Sequence, residues 1–176
     1  MSKCPYGIQA LDSMKEVLNA IKGIYVSIHY IAGLNPQTGL MESLHGQSEV
    51  DEDMRELCAA KYYPDKYLNY IWCRNANITS DAWQMCALKT GLDVVKIGTC
   101  ASGSEGKGLL MADVKIGQDL NIGASPTWFA NNYKTFSALS AQDIKTNICS
   151  LNPGLVGCGT QLSSNTTVAA GACATP

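Results

Sequence analysis

Apolar side chains near the start of the chain recur at three- and four-residue steps. Ile8, Leu11, Met14, Leu18 and Ile21 share one stripe of a helix running from about Gly7 to Lys22, which Gly23 ends. The period then changes to two. Ile24, Val26, Ile28 and Tyr30 alternate with Tyr25, Ser27, His29 and Ile31, and the β-branched content makes this a strand. Gly33 to Gln47 is punctuated by Gly, Pro and Asn and reads as a loop, after which Ser48-Glu49-Val50-Asp51 resembles a capping box opening a helix to about Ala60. A helical block follows, with Pro64 in a first turn and Tyr67, Leu68, Ile71 and Trp72 on an apolar face. Ser80-Asp81 caps a helix ending at Gly91, a short helix begins at Asp93, and Ser102-Gly103-Ser104-Glu105 opens a helix through Leu109, Leu110 and Val114. Ser125 to Ala130 then reads as a short strand entered through Pro126 and left through an Asn131-Asn132 turn, and Ser140 to Cys149 as a closing helix.

The end of the chain has a different texture. Lys145 is the last charged residue, and from Gly159 the sequence is rich in Gly, Ser, Thr, Val and Ala. Such a segment is either a flexible linker or, through Thr166-Thr167-Val168-Ala169-Ala170, an added strand.

Composition narrows the classes. The 176 residues suit one domain with a tail. Charged residues are 16% of the chain and the net charge is -2, so there is no basic footprint for nucleic acid. Apolar stretches such as Ile24 to Leu34 fall short of the roughly 20 residues that span a bilayer. Eight cysteines in a chain of this size point to disulfides and an oxidising compartment, hence to a secreted or extracellular protein. The sequons at Asn77 and Asn165 agree with that compartment as candidate glycosylation sites. No signal-peptide pattern stands at Met1, so an export signal is expected upstream or already removed. No Cys-x2-Cys pair occurs and His29 and His45 lie far apart, so neither a metal nor a cofactor is implied.

Cys4-Pro5-Tyr6-Gly7 directly precedes the first helix, where the dipole and free N–H groups stabilise a thiolate. Cys4 is therefore a candidate nucleophile, with one half of a structural bridge as the alternative. Ser125-Pro126-Thr127 ahead of a strand is the second cue: thioredoxin-like folds place a cis-proline loop against the active cysteine, where its backbone holds an extended peptide. His45 reads as a loop histidine or an acid–base group near the thiol, and Glu49 as a cap. The tyrosines from Tyr62 to Tyr70 and Trp72 read as core. The Gly103, Gly106 and Gly108 run lacks the strand a dinucleotide loop needs.

Together these residues make the chain similar to the gamma-interferon-inducible lysosomal thiol reductases. That family's signature, Cys-Gln-His-Gly-x2-Glu-Cys-x2-Asn-x4-Cys, is matched in spacing from Ser43 to Cys58, with His45, Gly46, Glu49 and Cys58 kept and Ser43 and Val50 in place of the first two cysteines. The resemblance implies an α/β, thioredoxin-like domain over residues 1–158 with a helical insertion at about 48–118, and a tail, 159–176. It implies structural cysteines at Cys58, Cys73, Cys86, Cys100, Cys149 and Cys158, with Cys58–Cys73, Cys86–Cys100 and Cys149–Cys158 the expected neighbour pairs. Cys4 and Cys173 are left for an end-to-end bridge, within one chain or between two. The family's Cys-x-x-Cys falls on Cys4 and Gly7, so the resolving thiol is absent, and the first central strand has no counterpart before Cys4. The tail is the expected substitute, folded back or donated to a neighbour. Three functions remain: a monothiol thiol-disulfide oxidoreductase or isomerase, acting on a disulfide-containing protein or peptide held by Ser125, Pro126 and Thr127; a non-catalytic structural subunit assembling with copies of itself; or a peptide-binding module without chemistry.

Overall fold

The N-terminal apolar stripe forms helix α1 (Pro5–Ala20), burying Ala10, Met14 and Val17 on one face. The computed structural model describes residues 1–168 and 171–174, so Ala169, Ala170, Thr175 and Pro176 lie outside the described residues. After α1 come a hairpin, β1 (Gly33–Leu34) and β2 (Met41–Glu42), and five helices: α2 (Gln47–Tyr62), α3 (Tyr67–Asn75), α4 (Trp83–Lys89), α5 (Val94–Ser102) and α6 (Ser104–Asp119). Then follow β3 (Ala124–Ser125), β4 (Trp128–Ala130), β5 (Lys134–Phe136), α7 (Ala141–Leu151) and β6 (Cys173–Ala174). The chain is mixed α/β and mostly helical. Its described strands form three two-stranded sheets, β1–β2, β3–β6 and β4–β5.

The chain divides into two units. The first comprises residues 1–3 and 29–123 with Ala174. Within it α2 packs against α3, α5 and α6, burying Val50, Leu57, Ile71, Ile97 and Leu110. The hairpin was not anticipated in the Gly33–Gln47 loop, because its two-residue strands carry no periodicity. An Asx turn builds it, with Asn35 Oδ1 accepting from the Gln37 and Thr38 N–H groups at 2.9 Å. The short helix expected from Asp93 is α5, and Asp93 caps it by accepting from Val95 N at 2.8 Å and Lys96 N at 3.0 Å. Neither capping box forms. Gly46 and Gly103 hold the N-cap positions of α2 and α6, while Glu105 binds Lys61 Nζ at 2.6 Å and the Tyr62 hydroxyl at 2.7 Å.

The second unit comprises residues 4–28 and 124–173. Its core forms where α1 meets α7: Met14, Val17 and Ile21 pack with Ala138, Ile144 and Leu162. Ser140 caps α7 by accepting from Asp143 N at 3.1 Å. β4 and β5 pair antiparallel, Ala130 opposite Lys134, and Asn131 and Asn132 take positive φ in the turn. Segment 24–28 keeps the alternating burial expected of it, Ile24, Val26 and Ile28 inward, but is extended chain rather than one of the described strands.

Four disulfides join Cys4 to Cys173, Cys58 to Cys100, Cys73 to Cys86 and Cys149 to Cys158. The expected Cys58–Cys73 and Cys86–Cys100 pairs are corrected. α2 faces α5, setting the Cys58 and Cys100 Cα atoms 6.1 Å apart, and α3 turns back on α4, setting Cys73 and Cys86 5.6 Å apart. Cys58 and Cys100 thus enclose the Cys73–Cys86 pair, while Cys149–Cys158 and Cys4–Cys173 join as expected.

Gly157, at φ 103°, sits so close to the end of α1 that an added Cβ would lie 2.0 Å from the Ala20 carbonyl oxygen, whereas Gly154 faces open space. Gly157→Ala is therefore expected to destabilise the fold by at least about 1–3 kcal/mol in chemical denaturation. Gly154→Ala should stay within about 0.5 kcal/mol of the parent.

Candidate functional site

Cys4 is the N-cap of α1, with Pro5 in the first helical position and the Gly7 N–H directed at Cys4 Sγ at 3.5 Å. The fold brings the second sequence cue to the same place. The Ser125 carbonyl oxygen lies 3.5 Å from Cys4 Sγ, the Ser125–Pro126 peptide is cis, and the Thr127 hydroxyl donates to the Ala124 carbonyl at 2.6 Å. Because Cys4 is bonded to Cys173, its contact with Ser125 is van der Waals and dipolar, with no S–H to donate. Cys4 has no solvent exposure and Cys173 only 7%. Among the described residues no cysteine is free.

The tail reaches Cys4 along a defined path. Leu162 drops into the core between α1 and α7, its N–H bonded to Gln142 Oε1 at 2.9 Å, and Lys145 Nζ donates to the Thr160 carbonyl at 2.6 Å. Further on, Ser163 N donates to Glu16 Oε1 at 2.9 Å and Thr167 N to Gln9 Oε1 at 2.8 Å. Gly171 lies against the Tyr6 ring, and Cys173 bonds Cys4. The partners on α1 descend from 16 to 9 to 6 to 4, so the tail runs antiparallel to the helix and ends at its N-terminus. Over residues 160–168 the tail is held by hydrogen bonds to side chains of α1 and α7. Thr166 to Val168 is not a strand, and the rest of that expected strand, Ala169 and Ala170, lies outside the described residues. The described tail strand is β6, paired with β3.

The first unit holds a second polar constellation, which the sequence reading missed. Glu49, Glu52, Asp53 and Glu56 occupy one face of α2 at helical spacing and are all buried. Glu52 is fully compensated: Arg74 Nε reaches it at 2.7 Å, Arg55 Nη1 at 2.8 Å and the Tyr70 hydroxyl at 3.2 Å. Glu49, expected to cap α2, instead accepts from Lys3 N at 2.7 Å, from the Ser43 hydroxyl and from His45, whose Nδ1 lies 2.9 Å away. Burial alone would raise the Glu49 pKa, but these hydrogen bonds outweigh it and hold the carboxyl low. Asp53 accepts from Ser2 N at 2.9 Å through one oxygen, and Glu56 binds the Tyr30 hydroxyl. Among the described residues, Asp53 Oδ2 and Glu56 Oε1 have no partner. Burial pushes the Asp53 pKa up to about 7, and burial with the neighbouring Glu52 charge pushes Glu56 well above its ordinary range. His29 is drawn upward by its 2.8 Å hydrogen bond to Asp113, whose other oxygen accepts from Tyr30 N.

The i, i+3, i+4, i+7 spacing of the acids was visible in sequence, but such a stripe ordinarily faces water. Tyr67 and Tyr70 are core, as expected, and Asn77 and Asn165 are exposed. No helix among the described residues is long and apolar enough to cross a membrane.

Two outcomes follow from these arrangements. Cys173→Ser should lower stability by about 2–5 kcal/mol, because the bridge closes a separation of 169 residues; denaturation of parent and variant under non-reducing conditions measures it. Between about pH 4 and pH 7 the folded state binds more protons than the unfolded chain, since Asp53 titrates near 7 rather than 3.8 and Glu56 and His29 are also raised. Stability should thus fall as pH rises through this window, and Asp53→Asn should flatten the dependence in urea titrations at stepped pH.

No family model matches the chain, nor does any curated protein, and its function has to be read from this geometry.

Proposed function

We propose that the chain is a secreted or lysosome-like, disulfide-stabilised protein whose second unit is a thioredoxin-like module similar to the lysosomal thiol reductases, and that it acts as a non-catalytic binding or structural subunit. The observation that carries this is the state of Cys4, fully buried and bonded to the chain's own tail, with Gly7 where a resolving thiol would stand. A reductase needs an exposed thiolate to open a substrate disulfide and a second thiol to release the product. Support for the thioredoxin-like reading comes from Cys4 at a helix N-terminus facing the segment before Pro126, the arrangement the resemblance implies. Four disulfides fit an oxidising compartment, and buried carboxyls that favour their protonated form suit an acidic one.

The monothiol oxidoreductase keeps one observation in its favour. The Gly7 N–H aimed at Cys4 Sγ would stabilise the thiolate whenever the bridge opens.

Alkylation of the native protein without reductant, followed by non-reducing peptide mass spectrometry, separates the readings. Cys4 should be unlabelled and recovered linked to Cys173, and catalytic amounts of protein should not accelerate reduction of a protein disulfide by a dithiol. Native labelling of Cys4 with turnover that Cys4→Ser abolishes would replace this reading with the enzymatic one.

A further inference from the structure

The tail supplies the unit with a bound peptide. β6 begins at Cys173 and pairs with β3, the strand that leads into Pro126, while Cys173 is covalently joined to the cysteine at the α1 N-terminus. An extended segment with its cysteine on Cys4 and its backbone beside β3 has the form of a cysteine peptide captured as a mixed disulfide. The positions before the cysteine differ in what they admit. Ala172 is exposed, so that position takes any side chain. Gly171 differs: a Cβ there would lie 2.5 Å from Tyr6 Cζ and 2.6 Å from its hydroxyl oxygen, so a side chain at this position requires the Tyr6 ring to move.

We propose that the Cys4 groove is a binding site for extended polypeptide segments of the form Gly-x-Cys, selected by the Tyr6 ring, and that Gly171–Cys173 is its exchangeable resident occupant. This deepens the non-catalytic reading above and rests on it. Exchange is redox-neutral. The thiolate of the incoming cysteine attacks Cys4 Sγ, the Cys4–Cys173 bond breaks, and Cys173 leaves with the electron pair and takes up the proton the incoming thiol gave to solvent. One disulfide replaces another and no oxidant is consumed.

The test uses Cys173→Ser, which frees Cys4 while retaining the whole chain. Two peptides, one carrying Gly-Ala-Cys-Ala and the other Ala-Ala-Cys-Ala, are each activated at cysteine as the thionitrobenzoate mixed disulfide. Cys4 displaces thionitrobenzoate, whose absorbance reports the rate. The glycine peptide should couple about tenfold faster, the discrimination an overpacked contact gives, and Tyr6→Leu in the same background should bring the ratio to about one. Equal coupling of the two peptides overturns the proposal, as does failure of both while the small thionitrobenzoate reagent itself titrates Cys4. A second measurement avoids the freed thiol: in glutathione buffers, Gly171→Ala should open the Cys4–Cys173 bridge at about tenfold lower reduced-to-oxidised ratio, and adding Tyr6→Leu should restore it. An unchanged midpoint in Gly171→Ala also overturns the proposal. Disulfide turnover by the parent protein would instead overturn the non-catalytic reading, so the two failures are read in different assays.

Discussion

The bond between Cys4 and Cys173 fixes the character of the second unit. It places Cys173 at the N-terminus of α1, and the hydrogen bonds to Glu16 and Gln9 and the Gly171–Tyr6 contact line up behind it. The same bond uses the sulfur that thiol chemistry would need. Structure and function are coupled there through one atom, and the proposed role of the module follows from that occupancy.

The first unit solves a different problem. Four carboxyls on the buried face of α2 cannot all be ionised in a low-dielectric interior, and the surroundings divide them. Glu52 is paired with Arg74 and Arg55, hydrogen bonds from Lys3, Ser43 and His45 hold the Glu49 carboxyl low, and Asp53 and Glu56 are driven toward neutrality. His45 takes part in this division through its hydrogen bond to Glu49. A helical unit organised in this way gains from acid, opposite in sign to the usual effect of surface carboxylates.

Much of the architecture was legible locally. The apolar stripe of α1, the helix starts at Asp93 and Ser140 and the Asn131-Asn132 turn each follow from groups within a few residues of one another. Legibility failed where a local group found a distant partner. Glu49 and Glu105 read as caps by spacing, yet Glu49 binds Lys3 and His45 and Glu105 binds Lys61 and Tyr62. Two of the four expected cysteine pairs, Cys58–Cys73 and Cys86–Cys100, failed for the same reason, since Cys58 meets Cys100 through the packing of α2 on α5; Cys149–Cys158 and Cys4–Cys173 held.

The sequence by itself determined the helical content, the disulfide-rich character, the glycine at position 7 and the absence of charge in the tail, because composition and short-range periodicity encode these. Only the tertiary structure decided which cysteines meet, where the tail lies, that Tyr6 crowds Gly171, and that the acids of α2 face inward. Those outcomes depend on which helix faces pack together, and the free energy of that choice is spread over contacts far apart in the chain, where no local pattern records it.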